Sequence, residues 1–126
     1  MKIDGSPFGN IDEKRVLWSS DDALAFLDGF PVAEGHTLLV PRRVVASLEE
    51  LTAEEDAELW QAVRIVRGLL QERYNPDGFN IGINEGAAAG QTIAHAHIHI
   101  IPRYKGDRPD PRGGIRWIFP EKARYW

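Results

Sequence analysis

From Ile93 to Pro102 the chain reads Ile-Ala-His-Ala-His-Ile-His-Ile-Ile-Pro, an alternation with the period of a β-strand. Residues i, i+2 and i+4 of a strand share one face, so His95, His97 and His99 are predicted to line up on one side. Ala96, Ile98 and Ile100 then point to the other side and pack. Three imidazoles in register demand a partner sheet and a reason to be there.

The remaining elements follow from local chemistry. Val16-Leu17-Trp18 and Ala23 to Leu27 read as two strands, with Ser19-Ser20-Asp21-Asp22 supplying the turn. His36 to Val40 reads as a third strand, stopped by Pro41. One helix is predicted from Thr52, where Thr52-Ala53-Glu54-Glu55 has the form of a capping box. Leu59, Val63, Val66 and Leu70 then recur at helical spacing, and Asn75-Pro76-Asp77-Gly78 ends the run. Phe79, Ile81 and Ile83 alternate as a further strand, followed by the loop Glu85 to Gly90. Strands joined by short turns around one helix predict an antiparallel α+β domain over residues 1–126. Its core is expected over about 16–103, with 104–126 a basic, irregular C-terminal tail.

Composition narrows the function. At 126 residues the chain fits one domain, and having no cysteine it has no disulfide scaffold, thiolate metal site or cysteine nucleophile. No apolar run approaches the roughly 20 residues of a membrane span, and the first residues lack the apolar core of a signal peptide. A cytoplasmic protein with no membrane partner is expected. The net charge of −4 argues against a nucleic-acid partner. Residues 101–126 nevertheless hold seven Lys or Arg against three acidic residues, which suits a small anionic ligand.

Three readings of the histidines are open. Buried structural histidines need a partner for each ring. A metal site would pair His95 with His97, or His97 with His99, and add His36, because same-face neighbours lie about 6.6 Å apart. Nucleophilic catalysis uses an imidazole that is largely neutral at pH 7 and attacks phosphorus without an activating base. The last reading needs phosphate-binding donors, and Asn84, Gln91, Thr92 and the glycines Gly86 and Gly90 lead straight into the histidine segment.

The run His95-Ala96-His97-Ile98-His99-Ile100-Ile101, with Gly90-Gln91-Thr92 before it and Pro102-Arg103 after it, resembles the signature of the histidine triad family of nucleotide hydrolases and transferases. So does Pro31-Val32-Ala33-Glu34-Gly35-His36-Thr37-Leu38-Leu39-Val40-Pro41. The resemblance implies a histidine-triad-like antiparallel sheet with one main helix packed on it, continued across a homodimer. It implies that His97 is the nucleophile of a nucleotidyl-histidine intermediate, that His95 and His36 orient it, and that His99 contacts phosphate and assists the leaving group. It further implies phosphate binding by Asn84, Gln91 and Thr92, a ribose contact by Asp28, and a purine slot of Val16, Leu17, Trp18 and Phe26. No catalytic metal or cofactor is implied. Val44 stands where many relatives have a histidine. The tail resembles a bacterial diadenosine tetraphosphate hydrolase subgroup, which implies an AMP-containing substrate. A nucleoside phosphoramidate hydrolase and a non-catalytic nucleotide binder are the alternatives.

Overall fold

The segments Ala23–Leu27 and Thr37–Pro41 are almost wholly buried, so apolar residues are needed on both faces of the strands they form. A computed structural model describes residues 1–126 and supplies a covering layer for each face. Strands β1 (Val16–Ser19), β2 (Ala23–Leu27), β3 (Thr37–Pro41), β4 (Gly78–Ile83) and β5 (Ile98–Arg103) form one antiparallel sheet in the order β1-β2-β3-β5-β4.

Helix α1 (Ala53–Tyr74) covers one face. Thr52 caps it, its hydroxyl accepting from Glu55 N while Glu55 reaches back to the Thr52 amide. Asn75 ends it in the left-handed conformation at φ 49°. Leu59, Ala62, Val66 and Leu70 pack on Ala23, Ala25, Leu39, Ile98 and Ile100. These are the alternate residues of the strands, as the side-chain period requires.

The opposite face is covered in two halves. Over β2 and β3, Ile3 and Ile11 of the N-terminal segment pack on Leu24, Phe26, Leu38 and Val40. Those first residues lay outside the expected core of 16–103, yet Ile11 is buried like any core side chain. Over β4 and β5 lies the C-terminal segment, with Ile115 set against Gly82 and Gly114 against Asn80. Residues 104–126 are not merely irregular. They contain short 3-10 helices at Gly114–Ile118 and Pro120–Lys122, and Ala123 is fully buried beneath them. Arg116 ties the segment to itself through the Ala123 and Lys122 carbonyls.

Two other expectations change. The histidine strand begins at Ile98 and not at Ile93, so His99 alone of the three lies in β5. An irregularity between Val16 and Trp18 breaks the β1 alternation, and Leu17 and Trp18 both pack on the helix-side cluster. Pro41 belongs to β3, paired with Ala23, where its missing N–H is tolerated at the strand end. No helix is long and apolar enough to cross a membrane.

Thr52→Ala removes one half of the α1 capping box, and its stability loss should be about 1 kcal/mol. Urea denaturation of the two proteins measures it, and an unchanged midpoint would show that the cap contributes nothing.

Candidate active site

The β5–β3 ladder ends at the pair Ile98 and Leu39, and the preceding residues leave the sheet. Ala96 N donates instead to Val45 O at 2.7 Å, beyond the end of β3. The His95 ring turns inward, fully buried, and its Nε2 lies 2.7 Å from Pro41 O. A carbonyl only accepts, so the hydrogen-bond network assigns the proton to Nε2. Nδ1 then accepts from the Ser6 hydroxyl at 2.7 Å. The Ser6 oxygen accepts in turn from Phe8 N.

His97 has the opposite tautomer. Its Nδ1–H donates to the His95 carbonyl at 2.8 Å, which leaves the lone pair on Nε2. That atom has no hydrogen bond within the chain. No buried side-chain nitrogen or oxygen lacks a partner, so Nε2 of His97 is open to solvent. Phe8 stands edge-on to the ring at 5.3 Å and holds its plane.

A second relay starts at His36. Its Nδ1 accepts from Val32 N at 3.1 Å, so its Nε2 carries the proton and donates to His99 Nδ1 at 2.9 Å. His99 is therefore protonated on Nε2, which also has no partner in the chain. The Asp28 carboxylate lies 3.5 Å from His36 Nε2. Burial holds His36, His95 and His99 below the ordinary imidazole range. Asp28 pulls His36 and His99 back up by a smaller amount. His36, His95 and His99 are thus kept neutral, each in a single tautomer.

His97 and His99 open into a cavity of about 440 Å³, which also brings together Phe26, Asp28, Asn84 and Thr92. Asn84 and Thr92 are exposed and free to meet a ligand. Gln91 borders the cavity too, but its carboxamide is spent on the loop. Its oxygen accepts from Gly86 N, and its nitrogen donates to the carbonyls of Ala46 and Ile93. Gln91, expected as a phosphate ligand, here braces the turn. Gly86 and Gly90 adopt φ of 88° and 91°, which a β-carbon would strain, so both are glycine for the backbone's sake. Asp28 is partly engaged as well, since one carboxylate oxygen accepts from Phe30 N.

Of the expected purine slot only Phe26 borders this cavity. Val16 lies behind it in the apolar cluster under the N-terminal segment, while Leu17 and Trp18 sit on the helix side of the sheet. Three contributors were not foreseen. Ser6 and Phe8 come from the N-terminal segment, and Arg15 reaches in with its Nε on the Leu27 carbonyl and its guanidinium 5.6 Å from the Phe26 ring centre. The signal for them is slight: a serine, an aromatic and an arginine in a stretch with no periodicity.

The metal grouping also changes. Both nitrogens of His95 are occupied, so it is no ligand beside His97. The one set of carboxylate and imidazole atoms close enough to hold an ion is Asp28, His36 and His99, whose ligand atoms lie within 4.8 Å of one another. An ion there would displace the proton between His36 and His99.

Comparison with known proteins agrees with this architecture. Residues 10–106 match the HIT domain family. The chain is 37% identical over 97 residues to the bis(5'-adenosyl)-triphosphatase of Dictyostelium discoideum, covering 77% of this chain and 65% of that protein. It is 39% identical over 93 residues to the asymmetrical bis(5'-nucleosyl)-tetraphosphatase of Schizosaccharomyces pombe, covering 74% and 51%. The chain thus spans under two thirds of the length of these curated relatives. In fold it is similar to the Caenorhabditis elegans NitFhit protein, with a TM-score of 0.76 and 36% identity over 83% of this chain and 25% of that one.

The buried imidazoles carry a pH signature. In the unfolded chain they take up protons near the ordinary value of 6.5, while His36, His95 and His99 in the fold do so only at lower pH. The unfolded state therefore binds more protons as pH falls below that value, and stability declines. Urea midpoints should be lower at pH 5.5 than at pH 7.5. Equal midpoints would mean the rings are not held neutral by the fold.

Proposed function

The chain belongs to the HIT domain family, and from that premise we propose that it hydrolyses a dinucleoside polyphosphate at an α-phosphorus. One observation carries the reading. The His95 carbonyl accepts a hydrogen bond from Nδ1–H of His97 and leaves the Nε2 lone pair accessible, so the nucleophile needs no base to prepare it.

In the first step Nε2 of His97 bonds to the α-phosphorus, and the bond from phosphorus to the bridging oxygen breaks. The electron pair leaves with the remaining polyphosphate. The ring becomes a cation whose Nδ1–H stays on the His95 carbonyl, where that bond strengthens as charge develops. Water then attacks the phosphorus, the phosphorus–nitrogen bond breaks, AMP departs and the water's proton passes to solvent. Nε2–H of His99 hydrogen-bonds a phosphate oxygen during both steps. Asn84 and Thr92 supply further donors. Phe26 and Phe8 hold the base, and Asp28 takes the ribose through its second oxygen.

The relay also discriminates between leaving groups. His99 is neutral and its Nδ1 is filled by the His36 proton, so it donates a hydrogen bond more readily than a whole proton. A phosphate chain departs as an anion and needs none. An amine must be protonated as it leaves, which places phosphoramidate hydrolysis second. The names of the relatives in Dictyostelium and Schizosaccharomyces support the same order.

We read residues 1–126 as one functional unit that is active in the cytoplasm without a catalytic metal or cofactor. The outer edge of β4 has no partner strand in this chain, which supports a homodimer with the sheet running across it.

Product chromatography in excess EDTA tests the reading. With diadenosine tetraphosphate the wild-type protein should release AMP and ATP, and His97→Ala should lower the rate by at least about 1000-fold while still binding AMP. Activity retained by His97→Ala would overturn the nucleophile, and loss of wild-type activity on chelation would favour a metal at Asp28, His36 and His99. Light scattering on the eluting peak should give the mass of two chains; a peak of one chain's mass would exclude the dimer.

A further inference from the structure

The cavity at His97 is one end of a longer groove. His99 and Asn84 border both it and a second hollow, whose walls include Val32, Asn80, Ile101 and Gly114. Those last four also border a third space of about 880 Å³. Adjacent hollows thus share lining residues along one face of β4 and β5. His99, Ile101 and Arg103 succeed one another on that face, with Gly82, Asn80 and Gly78 paired beside them. The track from His99 to Arg103 is about 13 Å long. Ile115 of the C-terminal segment stands over Gly82 and forms one wall of the middle hollow.

The far end has its own chemistry. Arg103 is held by Asp107 and Asn80, and Asp110 is held by Arg112, so those charges are answered locally. Arg108 and Arg124 have no carboxylate partner. Arg124 lies 5.9 Å from the centre of the Trp117 ring, and Trp117 is fixed by its Nε1–H on the Arg112 carbonyl. A fixed indole, two guanidinium groups with no carboxylate within salt-bridge distance and the Glu34 carboxylate offer a stacking surface, phosphate donors and an acceptor for hydroxyls. Its volume is that of a small-molecule site.

We propose that this groove end binds the leaving nucleotide of a dinucleoside polyphosphate. Its base stacks on Trp117, its distal phosphates meet Arg108 and Arg124, and the phosphate chain lies along β5 back to His97. The inference rests on the polyphosphate reading for the identity of the ligand. It makes the C-terminal segment the part that distinguishes two-nucleoside substrates from mononucleotides.

Calorimetry in the His97→Ala background separates binding from turnover. Diadenosine tetraphosphate should bind about tenfold or more tightly than AMP, the size of one stacking contact. That advantage should vanish in His97→Ala/Arg108→Ala/Arg124→Ala while AMP binds as before. Arg108→Ala alone, at an exposed side chain with no hydrogen bond, should remove part of it and guards against loss of the tail's own fold. An advantage that is absent in His97→Ala, or that survives both tail variants, would overturn the proposal. If the binding pattern holds but the wild-type protein fails to cleave the tetraphosphate, the hydrolase reading fails and the subsite stands.

Discussion

The antiparallel ladder between β3 and β5 stops at Leu39 and Ile98, and the active site is made by what replaces it. A continued strand would present the His95, His97 and His99 rings side by side and all alike. The chain instead turns away, and the Pro41 and Val45 carbonyls accept from the His95 ring and the Ala96 amide. His95 is drawn inside, its own carbonyl is aimed at His97, and His99 remains behind in the sheet to meet His36. Three identical side chains thereby acquire three different surroundings. Their chemistry differs because their hydrogen bonds differ.

Burial then keeps His36, His95 and His99 neutral. An imidazole removed from water resists charging, and each nitrogen facing the interior has a partner that fixes its proton. Ser6 and Val32 supply the outermost of these partners. The arrangement places a lone pair at His97 and an N–H at His99, the two features an incoming phosphate ester requires at one place. A charged network would offer N–H groups at both and a nucleophile at neither.

Much of this was legible in the sequence where the determinants are local. The helix start at Thr52 and its end at Asn75 are written in a few adjacent residues, and the structure has both. The sheet strands were recognisable from their period. The start of β5 was not, because an extended chain alternates whether or not a neighbour pairs with it. Leu17 and Trp18 were misplaced for a related reason: a bulge depends on the partner strand and shifts every later side chain. Gln91 has the right atoms for a phosphate ligand, and only the surrounding carbonyls reveal that they are taken. Ser6 and Phe8 sit in a segment whose apolar residues follow no period, so nothing marked them until the fold brought them to the histidines.

The hydrogen bond between Ser6 and His95 joins residues 89 positions apart. As the chain is synthesised, β1 to β3 and α1 are complete well before His95 exists, and they can already pack on one another. The serine must wait for nearly the whole sequence to be made before it meets its histidine. The sheet itself is closed only when β5 enters between β3 and β4, so the last interior strand and the reactive centre arrive together. A nascent chain stalled before residue 95 lacks both the strand that joins β3 to β4 and the reactive centre.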